Sequence, residues 1–184
     1  MNLTQTIAPL TEPLSLVDVK NFMHILETDE DSLITSMIVA AREYAENYTN
    51  RQLLSATFEL ITDRFVQCMT IPKTPVISIS KVEYMDELGV YQTLSTSDYY
   101  SYKEYGATKL YFDAIPSVKD DKRAVKITFT AGYTTVPSSI ISFMKVLVST
   151  MYENREQYVI GVSVETLANP MILKMLDMYR VKPI

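Results

Sequence analysis

Apolar residues recur at helical spacing in two stretches near the N-terminus. Leu16, Val19, Phe22, Met23 and Leu26 follow the repeat of an amphipathic helix, and Ser15 with Asp18 fits a capping box in front of them. Ile34, Met37, Ile38, Ala41, Ala45 and Tyr48 then keep to one face, which predicts a longer helix over 30–48 that ends near Thr49-Asn50. Thr28 and Asp31 form a second capping signal, with Asp29 and Glu30 where the helix dipole favours carboxylates. Residues 1–13 show no periodic apolar pattern and read as a mobile lead.

The period changes after Arg51. Residues 57–65, 76–85, 90–94, 99–103, 109–112 and 125–131 are short runs rich in β-branched and aromatic side chains. Asp86 to Gly89 reads as a turn joining two of them, and Pro72 to Pro75 as a linker that cannot pair inside a sheet. Strands so closely spaced suggest hairpins and an antiparallel sheet.

Helical spacing returns after Pro137, a residue well suited to a first turn because it lacks an amide proton. Ile140, Met144, Leu147, Val148, Met151 and Tyr152 form one stripe, while Ile141, Phe143 and Val146 lie off it. A last helix opens at Asn169-Pro170, with Ile172, Leu176 and Tyr179 on one line and Met171, Met175 and Met178 on another. So much apolar helix surface in a chain of this size suggests coverage by partner subunits. The predicted class is α+β: a bundle of two N-terminal and two C-terminal helices with a central antiparallel β-subdomain. The expected divisions are a lead at 1–14, a helix pair at 15–56, a β-rich subdomain at 57–131, and C-terminal helices and tail at 132–184. The last of these forms one domain with the N-terminal helices.

Charge sharpens this picture. The formal net charge is −5, yet residues 1–50 hold eight acidic and only two basic side chains, Lys20 and Arg42. The excess negative charge therefore sits in the N-terminal helical segment, either as a solvated face or as a surface that repels passing DNA. No basic stripe exists to neutralise phosphates, which argues against tight nucleic-acid binding. Cys68 is the sole cysteine, so an intramolecular disulfide and a cysteine-based zinc cluster are excluded. No signal peptide is expected at residues 1–12, and the most apolar stretch, 140–151, is interrupted by Lys145 and too short to span a bilayer. Synthesis in a reducing cytoplasm is expected.

Candidate chemistry is sparse. His24 is the single histidine and fits a structural role; no serine or cysteine nucleophile carries an activating signature around it. Glu27, Asp29, Glu30 and Asp31 lack the glycine and terminal glutamate of a calcium loop. With only Gly89, Gly106, Gly132 and Gly161, neither a P-loop nor a dinucleotide-binding turn can be written. No catalytic residue, cofactor or metal site is expected. Thirteen tyrosines are present, and Tyr99, Tyr100, Tyr102, Tyr105 and Tyr111 crowd one region. They suit a sheet surface or protein interface, with stacking on single-stranded bases as the other use.

Three segments together resemble the head–tail connector (adaptor) family of tailed phages, in its longer form with a β-rich middle. They are DEDSLITSMIVAAREYAENYTNR (29–51); TFELITDRF (57–65) followed by IPKTPVISISKVEYMDELG (71–89); and VKITFTAGYTTVPSSI (125–140) leading into MYENREQ (151–157). The ordered combination, more than any one motif, carries the likeness.

The resemblance implies a non-enzymatic virion protein, made in the host bacterial cytoplasm and located in the neck at the head–tail junction. Such connectors form a ring of about twelve subunits below the portal protein, extend the DNA channel and dock neck or tail-completion (stopper) proteins. Double-stranded DNA passes through without specific binding, and no membrane is involved. On that reading Asp29, Asp31, Glu43 and Glu46 are candidate channel-facing carboxylates, and Ile141, Phe143, Val146, Met171, Met175 and Met178 a candidate subunit interface. Tyr179, Arg180 and Lys182 are candidates for portal docking, against a frayed terminus. The competing expectation, resting on the tyrosine cluster, is a small ligand- or nucleic-acid-binding α+β module.

Overall fold

The computed structural model describes residues 1–154 and 170–181. The chain divides into two compact units: Met1–Pro9 with Leu54–Thr134, and Leu10–Leu53 with Thr135–Ile184. Helices populate the second and strands the first, so the class is α+β.

The helical unit contains α1 (Leu16–Met23), α2 (Asp31–Thr49), α3 (Ser138–Glu153) and α4 (Pro170–Asp177). Ser15 caps α1 by accepting the Asp18 amide at 3.1 Å, and the helix stops where His24 turns left-handed at φ 56°. That places the lone histidine at a helix end rather than in a site. The capping signal at Thr28 is not used: Glu30 occupies the cap of α2 without a side-chain bond to the helix amides, its carboxylate accepting the Tyr152 hydroxyl instead, and Thr28 only accepts the Asp31 amide through its carbonyl. Val19, Ile34, Ile38, Ala41 and Ala45 are buried, as are Ile140, Phe143, Met144 and Val148 on α3 and Leu176 on α4. A fully buried side chain of this kind contributes roughly 1.5–3 kcal/mol, so these stripes are the main adhesive of the unit.

The β unit has eight strands. They are β1 (Asn2–Ile7), β2 (Ala56–Thr62), β3 (Cys68–Ile71), β4 (Val76–Met85), β5 (Tyr91–Thr93), β6 (Tyr99–Glu104), β7 (Ala107–Phe112) and β8 (Val125–Ala131). Five form a sheet in the order β1-β2-β8-β4-β5, and three form a second in the order β3-β7-β6, with every pairing antiparallel. β2 and β8 alternate buried and half-buried positions throughout, as a sheet with one face on a core requires. Phe58 lies opposite Phe129 in register, and their rings stack at 5.6 Å. Residues of both sheets, among them Leu60, Val82, Leu110, Phe112 and Ile127, join in one apolar cluster.

Two strands depart from the sequence expectation. The lead at 1–13 is not loose throughout, because Asn2–Ile7 adds to the edge of β2. Its pairing is made by the backbone, and only Leu3 is half-buried, so no apolar alternation marks it. β3 is four residues long and runs directly into Pro72, too short for a periodic signal.

Candidate interaction surfaces

The four candidate channel carboxylates have different fates. Asp29 is exposed and the Glu43 side chain is 61% exposed. Asp31 is half-buried and bonded to Lys20 Nζ at 2.6 Å. Glu46 corrects the expectation outright, since it is 7% exposed and faces inward. Its Oε2 accepts Arg42 Nη1 at 2.8 Å, and its Oε1 accepts Gln52 Nε2 at 2.7 Å and the Leu53 amide at 2.9 Å. Arg42 also donates to Glu12 at 2.8 Å. Burial pulls the Arg42 guanidinium towards neutrality, but Glu46 and Glu12 outweigh it and its pKa is raised. This is a structural network tying the segment before α1 to α2.

The candidate subunit interface also separates. Phe143 is 2% exposed and stacks on Tyr44 at 5.8 Å, so its ring is used inside this chain and not for a neighbour. Sequence placed it off the main stripe of α3 because that helix is apolar on several faces, and the packing of α2 selected the face that includes it. Ile141, Val146 and Met175 are half-buried, and Met178 is 73% exposed. The Met171 side chain lies outside the described residues.

Of the candidate docking residues, Lys182 lies outside the described residues. Tyr179 and Arg180 follow α4 and are held to the end of α2. Arg51 Nε donates to the Tyr179 carbonyl at 2.5 Å, and the Val181 amide donates to the Thr49 carbonyl at 2.9 Å. Tyr48 donates its hydroxyl to Asp177 at 2.6 Å, and the Arg180 guanidinium lies 5.1 Å from the centre of the Tyr48 ring. That cation over an aromatic face adds to the hold. Residues 177–181 therefore form a folded strap, a feature that helical periodicity could not reveal.

The tyrosine cluster forms a ladder on the three-stranded sheet. The Tyr111 ring stacks on Tyr100 at 5.5 Å and on Tyr102 at 5.1 Å, and the Tyr102 hydroxyl donates to that of Tyr111 at 2.9 Å. Hydrogen bonding with Cys68 and with Tyr102 pushes the Tyr111 hydroxyl well above its ordinary pKa. The rings use their faces on one another, and Tyr111 is engaged by two of them. That arrangement makes a poor platform for stacking bases, which needs open ring faces. Lys109 is paired with Glu104 at 2.5 Å and its pKa is raised by that partner, so it is not a free phosphate contact.

Among the described residues no group of three or more His, Cys, Asp and Glu side chains is placed to hold a metal. Nor, among these residues, is any helix long and apolar enough to cross a membrane.

No curated protein matches the chain in sequence. Solved structures do match in fold. A chain in the neck of an empty GTA particle, computed with C6 symmetry, is 20% identical with a TM-score of 0.79, covering 100% of this chain and 97% of that one. A chain in the virion of the native gene transfer agent (GTA) particle is 18% identical with a TM-score of 0.80 over the same shares. One in the neck of the native GTA particle, computed with C12 symmetry, is 19% identical with a TM-score of 0.78. The head completion protein family matches residues 12–181, spanning both units. The chain belongs to the head completion protein family, whose members are structural proteins of phage-like particles and not enzymes.

Proposed function

We propose that this chain is a ring-forming adaptor subunit of the neck of a tailed phage or phage-like particle. It sits below the portal, extends the DNA channel and offers a platform to the stopper or tail-completion protein. The observation that carries this reading is likeness over the full chain to proteins of particle necks, including necks computed with sixfold and twelvefold symmetry. Family membership supports it independently.

A ring of identical subunits joined head to tail needs two different complementary patches on each. Half-buried Ile141, Val146 and Met175 and exposed Met178 are the candidates for one of them. Asp29 and Glu43, the more exposed of the four candidate carboxylates, are candidates for the channel wall, where they would repel phosphate and let DNA slide. A ring whose lumen is basic would refute that placement. The strap at 177–181 is the candidate portal contact, presented as a folded element.

The test is electron microscopy of concentrated protein with and without portal. Rings of about twelve subunits, formed alone or on the portal, are expected. A protein that stays monomeric at every concentration and ignores the portal overturns the reading. Deleting residues 178–184 should abolish portal attachment while ring contacts through α3 persist.

A further inference from the structure

The three-stranded sheet ends at β6, and that edge differs from the others in the β unit. The β1 edge is broken by a register shift between Gln5 and Ile7. β5 is three residues long, and β3 is four residues long and closed by Pro72. Shortness, irregularity and proline are the usual means by which sheets keep edges from pairing. β6 has none of them: it is six residues long, in unbroken register with β7 from Tyr99–Phe112 to Glu104–Ala107.

The hydrogen-bond phase fixes which groups are free. The Phe112 amide donates to Gln67, on the β3 side, while the Asp113 amide donates to Asp98, on the β6 side. Alternation along β7 then turns Tyr111, Lys109 and Ala107 towards Tyr100, Tyr102 and Glu104. The backbone N–H and C=O groups of Tyr99, Ser101 and Lys103 consequently face away from β7. Among the described residues no strand lies on that side.

The side chains along this edge are those of an interface. Tyr100 and Tyr102 share one face, 50% and 37% exposed, and are braced by stacking on Tyr111. Tyr105, at the hairpin tip, is fully exposed at a φ of +47°, a position where asparagine or glycine would be easier. A bulky residue held there without burial points to use. Lys103 is exposed and makes no ion pair among the described residues.

We propose that the outer edge of β6 is a strand-addition site for an extended segment of a different neck protein. This rests on placing the chain in a neck. Only an extended backbone satisfies a row of alternating donors and acceptors. The segment would set apolar side chains at alternate positions against Tyr100 and Tyr102, and a carboxylate against Lys103. A second copy of this chain is the poorer occupant: among the described residues its other edges are guarded, and β6 against β6 is a twofold contact, which a head-to-tail ring does not use.

Hydrogen exchange on necks purified from particles, compared with the isolated protein, is the direct test. The Ser101 and Lys103 amides should exchange roughly tenfold or more slowly in the neck. Unchanged rates in necks that contain the chain overturn the site but leave its neck location standing; if purified necks lack the chain, both fall. Zero-length carbodiimide coupling should join Lys103 to an Asp or Glu of another protein, and a join to a second copy overturns the choice of occupant. Ser101→Pro removes an outward-facing amide without touching the β7 ladder, so it should fold and enter necks but reduce tail attachment at least roughly tenfold, with Ser101→Ala normal. Normal tail attachment by a folded Ser101→Pro protein also overturns the proposal.

Discussion

Arg42 and Glu46 lie one turn apart on α2, and each completes the other: the guanidinium donates to a carboxylate that is otherwise enclosed. The same carboxylate takes the amide of Leu53 and the side chain of Gln52, both beyond the end of the helix. One side chain thus fixes how the chain leaves α2. Glu46→Ala strands three donors and leaves Arg42 with its contacts to Glu12 and Glu43 alone. The expected cost is about 2–4 kcal/mol, read as a lower midpoint in urea. A loss below about 0.5 kcal/mol would mean that the network acts as an exposed ion pair.

Gly132 and Gly89 both have positive φ but different surroundings. A Cβ on Gly132 would meet the Leu54 carbonyl carbon at 2.5 Å and the Ser55 nitrogen at 2.6 Å, all backbone. On Gly89 it would meet only the end of Lys119, at 3.0 Å, which can swing aside. Gly132→Ala should cost at least about 3 kcal/mol and Gly89→Ala about 1 kcal/mol. Thermal melting of the two variants checks the order, and equal losses would contradict the packing around Gly132.

The β4–β5 turn is organised by Asp86. Its carboxylate accepts Gln92 Nε2 at 2.9 Å and the amides of Val90 at 2.9 Å and Leu88 at 3.0 Å, and these bonds, Gln92 first, hold its pKa below the usual carboxylate range. A depressed carboxylate lends stability that is present above the unfolded value, about 3.9, and lost as pH falls through the folded one. Acidification should therefore loosen the turn only below about pH 3.9. The Val90 amide resonance should report a midpoint beneath that value, and a midpoint at or above it would show that the bonds are not made.

Tyr48 gives the opposite sign. Its bond to Asp177, aided by burial, raises its pKa above the ordinary value. The strap is therefore supported below about pH 10 and loses that support as pH rises through the folded value. Absorbance titration of the phenolates should show one late-ionising group fewer in Tyr48→Phe. Faster proteolysis at 177–181 in that variant would place the bond in the strap's stability.

Sequence by itself determined the class of the protein and the span of most elements, because those depend on local period. The face of α2 and the alternation in β2 and β8 are written in neighbouring residues. Tertiary structure decided the rest. Glu46 reads as one more acid on an acidic helix until Gln52 and Leu53 are brought back to it. Phe143 reads as surplus apolar surface until Tyr44 covers it. β1 carries no signal at all, since an edge strand is held by backbone groups that every residue possesses. The free edge of β6 is likewise a property of strand order, which arises from pairings between residues far apart in the chain.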